Sequence, residues 1–159
     1  MTTQTAGTAA HASTIVKASI ERSFSVFTEH IGTWWAADRH ILEGELAEMV
    51  FEPRVGGHIY DRAVDGSECR WARVLAYDPP NRVVFSWDIS TQWKVETDPA
   101  RTSEVEVTFV AEGPERTRVE LVHRNLDRHG EGWEAHRDAV SAPDGWQLGL
   151  DGFAAVAGA

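Results

Sequence analysis

TSEVEVTFVAEGPERTRVELVH, residues 102–123, is the stretch whose reading decides the fold. Val105, Val107 and Phe109 alternate with Glu104, Glu106 and Thr108, so one face of a strand is apolar and the other charged. After the turn EGPER, Val119, Leu121 and His123 share one face, with Arg118, Glu120 and Val122 opposite. A period of two on both sides of a turn describes an antiparallel pair with one packed face and one wet face.

The same period extends upstream. NRVVFSWDI sets Val83, Phe85 and Trp87 against Val84, Ser86 and Asp88, and ELAEMVFEP reads as a strand stopped by Pro53. Between them, RVGGHIYDRAVDGSECRWARVLAYDPP reads as two strands. Gly56-Gly57 precedes the first, Asp65-Gly66 turns the chain, and Pro79-Pro80 closes the second. The register of this hairpin, residues 58–76, stays open because its apolar residues fall on both faces.

At the start, HASTIVKASI is a strand in partial alternation. Phe24, Phe27 and Ile31 then follow helical spacing, with Ser23 read as the N-cap. Gly32 breaks that helix and introduces a second short one carrying Trp34 and Trp35. Adjacent residues on a helix point about 100° apart, so both indoles cannot enter one seam. One fits a core, and a lined cavity could use both.

The tail returns to helical spacing: Trp133, His136 and Val140, then Pro143 near N1 and a stripe of Trp146, Leu150, Phe153 and Ala157. Strands with segregated helices mean α+β. The expected architecture is a curved antiparallel sheet of about six or seven strands, two short helices after the first strand, and a long C-terminal helix across the concave face. Residues 1–11 read as a disordered tail and 12–159 as one domain.

The formal charge is −10, with only two lysines, which argues against a nucleic-acid partner. No run is long and apolar enough to span a membrane, and the N-terminus has neither the basic nor the apolar region of a signal peptide. The one cysteine, Cys69, fits a reducing cytoplasm. Seven tryptophans are many for 159 residues.

Nearly the whole chain, from about residue 12, resembles the START-like SRPBCC superfamily with its helix-grip (Bet v 1-like) fold. It is most similar to the branch related to the activator of heat-shock-protein-90 ATPase. IERSFSVFTEHIGTWW, FEPRVGGHIY, DGSECRWARVLAYDPPNRVVFSW, TRVELVHRNLDRHGEGWEAHR and GWQLGLDGFAA carry the resemblance. It implies a cavity between sheet and C-terminal helix, with the short second helix at its mouth. One of Trp34 and Trp35 would pack inward and the other face the entrance.

The expected lining comprises Trp34, Trp35, Phe51, Ile59, Tyr60, Trp71, Arg73, Phe85, Trp87, Val107, Phe109, Leu121, His123, Trp146, Leu150 and Phe153. The alternative is that these residues fill the space as ordinary core. His123 is the one catalytic candidate, as a general base or a ligand-orienting group; the competing reading is a structural histidine bonded to a tryptophan N–H.

His129, Glu131, Glu134, His136 and Asp138 are dense in metal-ligand types. Their spacing matches no zinc motif, and a solvated helix start explains them. Glu48, Glu52, Tyr60, Arg62, Arg70 and Arg73 read as surface ladder pairs, unless Tyr60 or Arg73 turns inward as a polar handle.

No nucleophile, phosphate-loop or flavin signature is present, so no cofactor or metal is expected. The reading favoured is a binding protein for a small apolar or aromatic molecule. A polyketide cyclase, aromatase or hydrolase using His123 is the alternative, and a chaperone-regulating module the second. A homodimer through an exposed edge strand or helix stays open.

Overall fold

The computed structural model of the chain describes residues 7–36 and 39–159. Strand β1 (Ala10–Val16) is followed by helix α1 (Ile20–Phe27) and a 3₁₀ turn (Ile31–Thr33). Then come β2 (Leu46–Phe51), β3 (His58–Ala63), β4 (Glu68–Asp78), β5 (Arg82–Trp87), β6 (Ser103–Gly113) and β7 (Arg116–Arg124). A 3₁₀ turn at Leu126–His129 leads into α2 (Trp133–Ser141) and α3 (Trp146–Ala157). The strands form one seven-stranded antiparallel sheet in the order β1-β7-β6-β5-β4-β3-β2. Curled into a half-barrel and gripped by the C-terminal helical arm, it is an α+β helix-grip fold.

The deciding stretch pairs as its alternation requires: Val105 faces His123, Val107 faces Leu121, and Phe109 faces Val119. All six are buried. The outward row carries ion pairs, among them Arg124 with Glu104 and Glu106. The ambiguity at 58–76 has a physical cause. The β3–β4 register shifts between Ile59 and Tyr60, leaving Trp71 as an extra residue, so Trp71 and Ala72 are both buried. Such bulges add local twist and help a sheet curl.

Three boundaries differ from expectation. Helix α1 starts a turn earlier, with Ser19 as the N-cap: its hydroxyl accepts the Arg22 N–H at 3.1 Å, while Ser23 is buried and donates to the Ser19 carbonyl. Strand β1 runs from Ala10 to Val16, so residues 10 and 11 belong to the sheet and not to the expected tail. Residues 1–6 of that tail lie outside the described residues. The second short helix is a single 3₁₀ turn that ends before the tryptophan pair.

The arm is interrupted between Ser141 and Trp146, and Pro143 lies in the break instead of at N1 of α3. Gly145 is what permits the break: a Cβ there would lie 2.4 Å from the Val140 carbonyl oxygen. Because the obstacle is backbone, Gly145→Ala is expected to destabilise the fold by about 1–3 kcal/mol. That corresponds to a Tm lower by about 2–4 °C per kcal/mol at this chain length. An unchanged melting curve would show that the break can open without loss.

Beyond the break, Trp146, Leu150, Phe153 and Ala157 form the buried stripe of α3. Phe27 packs on Phe153, Phe109 and Trp34 at ring separations of 5.2, 5.7 and 5.0 Å. Among the described residues, no helix is long and apolar enough to cross a membrane.

Candidate functional site

The break in the helical arm leaves a cavity of about 550 Å³ beneath it. Its walls come from the segment after the 3₁₀ turn (Trp34, Trp35, Arg39, His40, Ile41), from Trp87 and Trp93, and from the two sides of the break (Val140, Asp144, Trp146, Leu148). Five tryptophans therefore meet one volume, of a size usual for small-molecule sites.

The adjacent pair divides its work through the irregular backbone. Trp34 is buried, donates its N–H to the Val26 carbonyl at 3.1 Å, and stacks on Phe27 and Phe153. It lies close under α3, where Gly149 and Gly152 leave room for it. Trp35 is half-buried, donates to the Arg39 carbonyl, and rests on Trp71 and Trp146 at 5.1 and 5.8 Å.

Trp34, Trp35, Trp87 and Trp146 are the residues of the expected lining that reach the cavity. Phe51, Ile59, Trp71, Phe85, Val107, Phe109, Leu121, Leu150 and Phe153 instead join the packed core around it. The reason is the sheet's curl, which closes these inward side chains onto α1 and α3, while the break in the arm leaves this space. Tyr60 is tied into the surface ladder, its hydroxyl accepting from Arg62 at 2.9 Å and its ring under Arg70. Glu48 pairs with Arg62, and Glu52 accepts the His58 N–H at 2.8 Å. Arg73 makes a two-pronged bond to Asp88 at 2.9 and 3.0 Å and reaches Thr102, so it is no polar handle for the cavity.

His123 is fully buried behind the wall. The Trp146 indole N–H donates to its Nδ1 at 3.0 Å, so Nε2 carries the proton and donates to Ser103 Oγ at 2.7 Å. The Ser103 hydroxyl then donates to His129 Nε2 at 2.7 Å. Separately, Trp87 Nε1 donates to His136 Nε2 at 3.0 Å.

His129 and His136 therefore face inward and carry protons, not lone pairs, on Nδ1. This corrects the solvated-helix reading of both residues. Burial lowers the pKa of all three histidines, that of His136 to about 4. The network holds the polar edges of Trp87 and Trp146 away from the cavity, which sees their apolar faces. His123 is thus a positioning group for Trp146 and makes no contact with the cavity space.

The imidazole that does reach the cavity is that of His40, backed by Asp61. Asp61 on β3 is 1 % exposed and accepts from His40 Nδ1 at 2.8 Å. With Nδ1 donating, Nε2 is the lone-pair nitrogen on a ring that lines the wall. A base oriented by a buried carboxylate is a recurring proton-transfer arrangement. Across the mouth, Arg39 pairs with Asp144 at 3.1 Å. Cys69 offers no nucleophile, since burial and the Asp61 charge push its thiol up to about 11.

His40 and Asp61 were absent from the sequence-derived site. Proximity to the Trp pair was the only signal for His40, and nothing in the primary structure couples it to a residue 21 positions away.

The fold agrees with comparison to known proteins. The family profile described as "Activator of Hsp90 ATPase homolog 1-like protein" matches residues 17–158. A solved anthrahydroquino-γ-pyrone synthase, Txn09, is 40 % identical, with 93 % of this chain and 96 % of that chain covered and a TM-score of 0.66. The self-sacrificing resistance protein CalC from Micromonospora echinospora is 27 % identical, with 94 % and 93 % covered and a TM-score of 0.66. Protein NE0264 from Nitrosomonas europaea, at 11 % identity and a TM-score of 0.66 over 98 % and 97 % of the two chains, shares the fold alone. No functionally curated protein matches in sequence. A profile match over most of the chain, on a curled sheet gripped by a C-terminal arm, means that this protein belongs to the Activator of Hsp90 ATPase homolog 1-like family of the START-like SRPBCC superfamily.

Proposed function

We propose that the protein binds a flat, polycyclic aromatic molecule of polyketide type between its tryptophans and closes a ring on it, with His40 as the general base. The observation that carries this reading is His40, which lines a cavity to which five tryptophans contribute and whose Nδ1 is held by the buried Asp61 at 2.8 Å. Fused aromatic rings match that surface, since offset and edge-to-face contacts favour them beyond simple burial. The 40 % identity to a γ-pyrone synthase supports this reaction class.

A γ-pyrone ring closes when an aryl hydroxyl adds to the distal carbonyl of a β-diketone side chain. A C–O bond forms, and the resulting hemiketal loses its hydroxyl as water. His40 Nε2 accepts the aryl proton as the oxygen attacks and passes it to the carbonyl oxygen, giving the hemiketal. It then takes a proton from the methylene between the two carbonyls and delivers it to the departing hydroxyl, so that water leaves as the ring double bond forms and the sequence is redox-neutral. The buried Asp61 carboxylate holds the ring in the required tautomer and stabilises the transient imidazolium. Loss of planarity at the attacked carbon is brief, and the flat product fits the same slot. The role expected for His123 in this alternative passes to His40, because His123 has both nitrogens engaged behind the wall.

The reading is tested by tryptophan-fluorescence titration with 1,4-dihydroxyanthraquinone, followed by turnover of a 2-hydroxyaryl β-diketone to its chromone. Saturable quenching is expected, and Trp35→Ala is expected to weaken binding by about tenfold through the lost stacking face. Binding without turnover would return the protein to a binding-only role. No quenching by any fused-ring phenol would remove the aromatic-ligand reading. The chaperone-regulating alternative rests on the family's description alone.

A further inference from the structure

Trp93 occupies a backbone position that an indole should avoid. Its φ is 60°, in the left-handed region where bulky side chains are genuine outliers. The turn around it explains how the conformation is held. Ser90 N–H donates to the Lys94 carbonyl at 2.7 Å and Trp93 N–H to the Ser90 carbonyl at 2.9 Å, while the Ser90 hydroxyl accepts from Gln92 and Lys94. Ile89 and Val95 bridge at its base. Glycine would satisfy every one of these backbone bonds without strain.

What the tryptophan adds is its ring. The indole lies on His136 at 4.4 Å between centroids and 37° between planes, and His136 is itself held by the Trp87 N–H. The side chain still lines the cavity, and 44 % of the residue is open to solvent at its rim. A strained backbone that keeps a large aromatic half-exposed at a cavity mouth, on a rigid backing, is what a fixed stacking platform requires.

We infer that Trp93 is the length-selecting residue of the site: it stacks on the distal ring of ligands with three or more fused rings, which reach the mouth, and leaves two-ring ligands untouched. This inference rests on the aromatic-ligand reading above. Trp34, Trp35, Trp87 and Trp146 hold the inner part of the ligand in either case, so selection by length falls to the rim.

The test compares 1,4-dihydroxyanthraquinone, with three rings, and 5-hydroxy-1,4-naphthoquinone, with two, on wild type and Trp93→Gly. The glycine variant keeps the fold, because the turn prefers glycine, and an unchanged far-UV circular dichroism spectrum verifies that. Three-ring affinity is expected to fall by about tenfold while two-ring affinity stays within about twofold. Equal losses for both probes, or no loss for either, would overturn length selection while leaving aromatic binding in place. Wild type that binds neither probe would overturn both readings, and a variant that unfolds would show the indole to be a structural plug.

Discussion

Replacing His40 by alanine is expected to lower the rate of ring closure by about 10²–10⁴ while leaving aromatic binding within about threefold. The two effects separate because they reside in different groups. Affinity comes from the indole faces of Trp35, Trp87 and Trp146, none of which depends on the imidazole for position. The imidazole contributes a lone pair whose direction is set by the bond from Nδ1 to Asp61. Asp61→Asn tests that link independently. The amide can present either its oxygen or its NH₂ to Nδ1, so the correct tautomer is no longer enforced, and a loss of about 10–10³ is expected with binding again retained. Steady-state turnover of a hydroxyaryl β-diketone, with kcat and KM resolved separately, checks both variants. If His40→Ala raised KM with kcat unchanged, the residue would be a binding contact and not the base.

Acid is expected to destabilise the protein above the pH at which its carboxylates protonate. His123, His129 and His136 are buried in a network that uses them neutral, and burial lowers the pKa of each in the folded state; neighbouring histidines lower His123 and His136 further, while Glu96 and Asp88 partly offset the effect at His129. In the unfolded chain each titrates near 6.5. Between that value and the depressed folded values, reaching about 4 for His136, the unfolded state binds more protons than the folded one.

Stability is therefore complete above about pH 6.5 and declines as pH falls, by about 1.4 kcal/mol per pH unit for each histidine in its window. For His136 alone the loss at pH 5 is about 2 kcal/mol, and His123 and His129 add to it in the same direction, against the 5–15 kcal/mol typical of a domain. Carboxylates such as Glu106, held low by Arg82 and Arg124, contribute their loss only below their ordinary range. Urea midpoints measured from pH 7.5 to 5 check the prediction. A flat profile over that range would mean that the network accepts protons in place.

Legibility in the sequence followed chemistry that repeats along the chain. The alternation in residues 102–123 specified two strands and their buried face, because a side-chain period of two leaves one register that buries every apolar residue. It was weaker where polar groups are buried. Ser23 resembled a cap because a serine on the inner face of a helix is unusual, and the true cap, Ser19, lies one turn earlier. His129 and His136 resembled a solvated segment because Glu131, Glu134 and Asp138 surround them in sequence while facing elsewhere. Trp71 and Ala72 blurred the hairpin because a bulge inserts one residue and turns consecutive side chains inward.

Composition and periodicity by themselves determined the fold class, the antiparallel sheet, the buried stripe of α3 and the abundance of tryptophan, since each depends on local spacing and on the free energy of removing apolar groups from water. Only the tertiary structure decided where the cavity lies and what faces it. Gly145 opens the helical arm where a side chain would strike backbone, Asp61 on β3 meets His40 across 21 residues, and Trp93 is held at the rim by a turn that would suit glycine. The first is a backbone clash, the second a pairing of distant segments and the third a turn conformation, and no hydrophobic periodicity encodes any of them.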